Sequence, residues 1–179
     1  MYSRGFGYYD HQLPRCGVKD PASGKALGQK GSYGSLDTPF WRIIGLDTGY
    51  NTYNPKGVHS PDNKQPEAVV AWLKDIVRLT DPADRRGIII LTHHQYRSAF
   101  EAQYLSTPKQ LAQLLGGRTV IWLWGHEHHL AWYDLGNSGG VDVTCYGRCI
   151  GVGGFPIDIV KLPKDARAGG IIAQVRHHI

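Results

Sequence analysis

The sequence predicts an α/β protein built on a mixed sheet, and three observations predict it. The runs Gly87-Ile88-Ile89-Ile90-Leu91-Thr92 and Thr119-Val120-Ile121-Trp122-Leu123-Trp124 are rich in β-branched and aromatic residues and read as buried strands. Residues 66 to 79 show a helical apolar period before the first of these runs. Beyond residue 130, short apolar runs alternate with turns in the manner of antiparallel strands. Helices between the early strands, followed by hairpins, describe a layered α/β architecture.

At 179 residues, with 41% hydrophobic and 20% charged, the chain is long enough for one domain with a substantial core. Residues 1 to 39 are rich in Gly, Ser, Tyr and Lys without a helical or strand period, so they read as an irregular loop region. The sheet-and-helix core is expected over residues 40 to 179. Phe40 to Leu46 reads as its first strand, ended by Asp47-Thr48-Gly49. A polar linker follows. Pro66 then suits the first turn of a helix whose apolar face is Val69, Trp72, Leu73, Ile76 and Val77. The run from Gly87 to Thr92 is continuously apolar, which predicts a strand covered on both faces. Thr107 suits an N-cap and Pro108 the first helical position of a short helix ending at Gly116-Gly117. Leu130 to Leu135, Val141 to Tyr146, Ile157 to Leu162 and Gly170 to Val175 are expected to form an antiparallel meander.

Chemistry concentrates where two strands end. The run to Thr92 delivers His93-His94, and the run to Trp124 delivers Gly125-His126-Glu127-His128-His129. If the chain stays extended past Gly125, His126 and His128 share one face while Glu127 and His129 face the other way. Two strands joined through a helix lie parallel with their C-terminal ends at one edge, where α/β sheets bind ligands. His93 or His94 is therefore expected beside His126 and His128, with Asp47 leaving its own strand in the same manner. Imidazoles suit zinc, iron, manganese or nickel rather than calcium.

These two motifs, in this order and spacing, resemble the last two metal-binding motifs of the calcineurin-like metallophosphoesterases. The resemblance implies a four-layer α/β/β/α sandwich with mixed sheets and a dinuclear centre of transition-metal ions (Mn, Fe, Zn or Ni), which clamps a phosphate ester and activates water for attack on phosphorus. Carried over residue by residue, it implies His93 and His126 as ligands of one ion and His128 as a ligand of the other. His94 and Arg97 are candidates to contact substrate, and Asp47 is a candidate to orient a ligand through a hydrogen bond. No catalytic acid or base is assigned. The family's earlier motifs, Asp-x-His, Gly-Asp-x-x-Asp and Gly-Asn-His, have no counterpart in this sequence. The stretch Tyr2 to Tyr8 looks like the loop after Gly-Asn-His in some bacterial members, so the chain is expected to match the C-terminal half of one domain and to be inactive alone.

Two other readings stand beside this one: a non-catalytic metal-binding remnant, and a structural zinc site from His126, His128, Cys145 and Cys149. Three cysteines make no disulfide framework. The net charge of +5 is scattered, with only Arg85-Arg86 adjacent, so no nucleic-acid stripe is evident. No run approaches the length of a membrane helix, and Met1 to Gly7 has no signal-peptide pattern, so a cytoplasmic protein is expected. A phosphate ester is the expected partner, together with self-association through sheet surface that a missing half would cover.

Overall fold

The structure, a computed structural model, describes residues 22–24, 31–49, 63–138, 140–153 and 171–175. The chain divides into two compact units, Met1–Ser32 and Tyr33–Ile179. In the first, the described residues form short turns and bends at 22–24 and 31–32. The second carries the strands, the helices and both histidine motifs.

That unit is an α/β fold on one mixed sheet. Its strands are β1 (Gly34–Asp37), β2 (Trp41–Gly45), β3 (Gly87–Thr92), β4 (Val120–Trp124), β5 (Leu130–Ser138), β6 (Val141–Ile150) and β7 (Ile171–Val175), in the order β1-β2-β3-β4-β6-β5-β7. Among the described residues the helices are α1 (Glu67–Asp75) and α2 (Ser106–Leu115). Strands β2, β3, β4 and β6 are mutually parallel, while β1, β5 and β7 run antiparallel to their neighbours. The parallel relation of β3 and β4 puts Thr92 opposite Trp124, so both histidine motifs leave the same edge. Strand β2 ends there too, with the Leu46 amide donating to the Leu91 carbonyl at 3.0 Å.

Several expectations are corrected. Strand β1 lies inside the stretch read as irregular, because Gly34 to Asp37 is a short edge strand paired only to β2. The expected meander is broken: β6, not β5, sits beside β4, so the chain crosses outward to β5 and returns to complete the parallel set. Residues 157 to 162 lie outside the described residues. Helix α1 ends at Asp75, so Ile76 leaves the buried stripe and is 72% exposed, while Val77 and Leu79 turn back into the core. Helix α2 starts at Ser106, two residues earlier than Thr107 would set as a cap. The orphan amide of Thr107 is taken by the side-chain oxygen of Asn63 at 3.1 Å. The C-terminal signal is as read, with Gly116 in the left-handed conformation at φ 56°.

Strand β3 is not covered on both faces. Ile88 and Ile90 are buried, whereas Ile89 is half-buried and Leu91 is 39% exposed. The core gathers on the other side, where Val69, Leu73, Leu111 and Leu115 of the helices meet Ile44, Ile90, Trp122 and Trp124. Among the described residues, no helix is long and apolar enough to cross a membrane. Cys145 and Cys149 are both buried free thiols on the inward face of β6. Four residues of strand separate them by about 13 Å, beyond the reach of a disulfide.

At the opposite sheet edge the sequence hides an ion-pair network. Arg42, buried on β2, contacts Asp37 at 2.8 Å and Asp84 at 3.0 Å, and Arg86 contacts the same two carboxylates at 2.8 Å. A hydrogen bond from the Arg42 guanidinium lowers the pKa of Asp37 to about 2, and Arg86 holds Asp84 well below the ordinary carboxylate range. Depressed carboxylates add stability that is present above their unfolded pKa and lost as pH falls through the folded one. Stability is therefore expected to decline from about pH 4 toward about pH 2. Replacing Asp84→Asn is expected to destabilise by about 2 kcal/mol at neutral pH, less than for a fully orphaned pair because Asp37 still holds Arg42. Denaturant unfolding of the two proteins checks this; equal midpoints would remove the network from the stability account.

Candidate metal centre

The expected meeting of the two motifs occurs. The amides of Gly125 and His126 both donate to the His93 carbonyl, at 3.1 and 3.0 Å, locking the two strand-end loops together. His93 Nε2 and His126 Nδ1 consequently lie 3.1 Å apart. Two nitrogens bound to one tetrahedral zinc at about 2.0–2.1 Å sit roughly 3.3 Å from each other, so this pair is spaced as ligands of a single ion. His94 completes the group: one ligand atom from each of His93, His94 and His126 falls within 4.8 Å of the others.

His94 is thus placed otherwise than as a substrate contact projecting from the loop. It is buried, its ring lies 4.7 Å from that of His126 and 4.4 Å from that of Tyr104, and its Nδ1 lies 3.0 Å from the Thr48 hydroxyl. The same hydroxyl oxygen accepts the His94 amide at 3.0 Å. A ligand role for Nε2 requires the tautomer in which Nδ1–H donates to Thr48, and a hydroxyl has the two lone pairs to accept both bonds. Burial holds His93 below the ordinary imidazole pKa, helped by the charges of His126 and His128 and opposed by Asp47. The neutral ring is the form that binds a metal.

His128 is exposed and lies outside the three-imidazole group, although near enough for its charge to be felt at His93. The chain does not continue extended past Gly125. Residues 126 to 129 bend, with the His129 amide returning to the Glu127 carbonyl at 2.7 Å. The alternation nonetheless survives: Glu127 and His129 are buried while His128 faces out. Asp47 accepts the Gly49 amide at 2.9 Å, which makes it a turn cap whose charge reaches His93. The Arg97 guanidinium is buried on β5, stacked over the Tyr133 ring at 5.5 Å and donating to the Asp134 carbonyl at 2.6 Å.

The sequence reading missed Thr48 and Tyr104. A lone threonine after a strand and a tyrosine in an irregular loop carry no motif. Both reach the site through backbone ties, Thr48 by the parallel pairing of β2 with β3 and Tyr104 by its amide bond to the Gln95 carbonyl at 3.1 Å.

Beneath the loop, Glu127 accepts hydrogen bonds from the Trp124 indole at 2.8 Å and from the Ser98 hydroxyl. Burial pushes its pKa up to about 7, against the pull of those two bonds. Burial likewise raises the Cys149 thiol to about 12. Gly151 passes against this loop, its amide donating to the His129 carbonyl at 3.1 Å.

No family model matches the chain, and no curated protein does. Among solved structures the chain is similar to GAP50, described as the anchor in the inner membrane complex of Plasmodium, at 18% identity and a TM-score of 0.38, over 66% of this chain. The chain spans 36% of the length of that protein. A likeness of that degree defines neither a shared fold nor a shared activity.

Proposed function

We propose that this chain carries the histidine-bearing part of a metallophosphoesterase centre. His93 and His126 share one ion, His94 lies close enough to join them, and His128 faces the place of a second ion. The observation that carries the reading is the 3.1 Å separation of His93 Nε2 and His126 Nδ1 at the C-terminal edge of parallel strands. When bound, a metal pair of this kind supplies Lewis acidity to a phosphate ester and to the attacking water. The chain's own residues present neutral imidazoles, fix the His94 ring through Thr48, and wall the site with Tyr104. The family's four-layer sandwich would place a further layer on the sheet face away from α1 and α2.

Among the described residues, the three-imidazole group holds no carboxylate that could bridge two ions. That observation favours a second reading, a metal-binding remnant without turnover, and one pair of measurements separates the two. Zinc binding at the imidazole group is expected by calorimetry on the whole chain, and His126→Ala is expected to weaken that binding event at least about 100-fold, since one of the two closest nitrogens is removed. Unchanged zinc binding in a folded His126→Ala protein would remove the centre altogether. Hydrolysis of bis-p-nitrophenyl phosphate with added manganese or zinc is expected to stay near background. Robust turnover abolished by His126→Ala would show a complete centre and overturn the half-centre reading.

A further inference from the structure

We propose that Glu127, His129 and Cys149 form a second, buried metal site that clamps the histidine loop from beneath. It is separate from the His93, His94 and His126 group. One ligand atom from each of the three side chains lies within 4.8 Å of the others, and all three residues are buried, at 1%, 8% and 0% exposure. His129 Nε2 is shut off from solvent without a hydrogen-bond partner among the described residues. Buried polar atoms are rarely left so, and a ring nitrogen of His129 within 4.8 Å of the Glu127 carboxyl and the Cys149 thiol is a metal-ligand arrangement.

The donor chemistry points to the kind of ion. On binding a metal the carboxyl and the thiol release their protons, and a carboxylate, a thiolate and a neutral imidazole then sum to two negative charges, so a divalent cation leaves the buried assembly neutral. Oxygen, nitrogen and sulfur donors together suit zinc or cobalt, whereas calcium and magnesium take oxygen ligands. The carboxyl is already oriented by the Trp124 indole and the Ser98 hydroxyl, in the way outer hydrogen bonds fix a metal-binding carboxylate. Cys149 Sγ sits 3.2 Å from the Glu127 carbonyl oxygen and 3.1 Å from that of His129, which places the sulfur inside the bend of the loop. Drawing the three atoms from within 4.8 Å of one another to the roughly 3.3–3.8 Å of tetrahedral ligands takes only small side-chain movements.

The same bend therefore serves two sites. His126 and His128 face outward, while Glu127 and His129 face the β6 cysteine. An ion below the loop would fix the outward pair in place, a structural role with no demand on turnover.

Titrating the full chain with cobalt(II) tests this, because thiolate-bound cobalt gives a charge-transfer absorption in the near ultraviolet that imidazole-bound cobalt lacks. The band is expected in the wild type, in Cys145→Ser and in His126→Ala, and is expected to vanish in Cys149→Ser. Its absence from the folded wild type, or its survival in Cys149→Ser, would overturn the proposal. Should Cys149→Ser fail to fold, His129→Phe keeps a ring against Phe100 and removes the nitrogen; it is expected to weaken formation of the band by about tenfold or more, and an unchanged titration would overturn the site. Loss of one of two zinc-binding events in His126→Ala with the cobalt–thiolate band intact, or the reverse, assigns failure to one site and not the other.

Discussion

Gly151→Ala is expected to break the centre from below and to lower the stability of the fold by about 3 kcal/mol or more. A β-carbon at residue 151 would stand 2.0 Å from the Glu127 carbonyl oxygen and 2.2 Å from that of Gly125. Both neighbours are backbone, so no rotamer change relieves the clash. Either the turn after β6 lifts away or the histidine loop does. In the first case the bond from the Gly151 amide to the His129 carbonyl is lost together with the seat of Cys149. In the second, the amides of Gly125 and His126 leave the His93 carbonyl, and the 3.1 Å pairing of His93 with His126 goes with them. Zinc affinity is accordingly expected to fall about tenfold or more. Gly153→Ala is the matched control, since a β-carbon there meets nothing within 4 Å among the described residues. Urea unfolding and zinc calorimetry on both variants decide the matter; a Gly151→Ala protein that behaves like Gly153→Ala would show that the close approach is not a constraint.

The parallel strands and the edge at which they end were legible from the sequence, because long apolar runs joined through a helix leave little topological freedom. That topology brought His93 or His94 beside His126 and His128, and the family resemblance singled out His93 and His126. What escaped was set by contacts that cross the chain. Arg97 follows two histidines, and nothing local to it shows that its guanidinium reaches the backbone of β5, 37 residues away. Thr48 lies 46 residues from His94, and nothing local marks it as the partner of that ring. The zinc alternative joined Cys149 to His126, His128 and Cys145, whereas the geometry groups it with Glu127 and His129. Glu127 and His129 face β6, and Cys145 lies too far along the strand to join them. The network of Arg42, Arg86, Asp37 and Asp84 was equally invisible, since it needs β1 folded back upon β2.

At high concentration the protein is expected to pair with a second copy of itself through the sheet face turned away from α1 and α2. Pairing in register places Ile43, Ile89, Ile121, Tyr146 and Leu135 in one row across that face, and Leu91, Leu123, Arg148 and Trp132 in the next. Leu91, Trp132, Leu135 and Tyr146 are each about two-fifths exposed or more. Five strands spaced about 4.8 Å apart, two rows deep, make a patch of a few hundred Å², the size at which exposed apolar surface marks a contact. Its charge pattern is self-complementary. Arg148, lying over the Trp132 and Tyr146 rings, shares the outward face of β6 with Asp142, so a two-fold arrangement brings each arginine toward the partner's aspartate end. Sedimentation over roughly two decades of concentration is expected to show reversible self-association in the wild type. Leu91→Lys combined with Tyr146→Lys is expected to give a monomer of unchanged circular dichroism, because both side chains already meet solvent and the added charges repel across the two-fold. A wild type that remains monomeric throughout, or a double variant that associates as before, would mean that this face is not where copies meet.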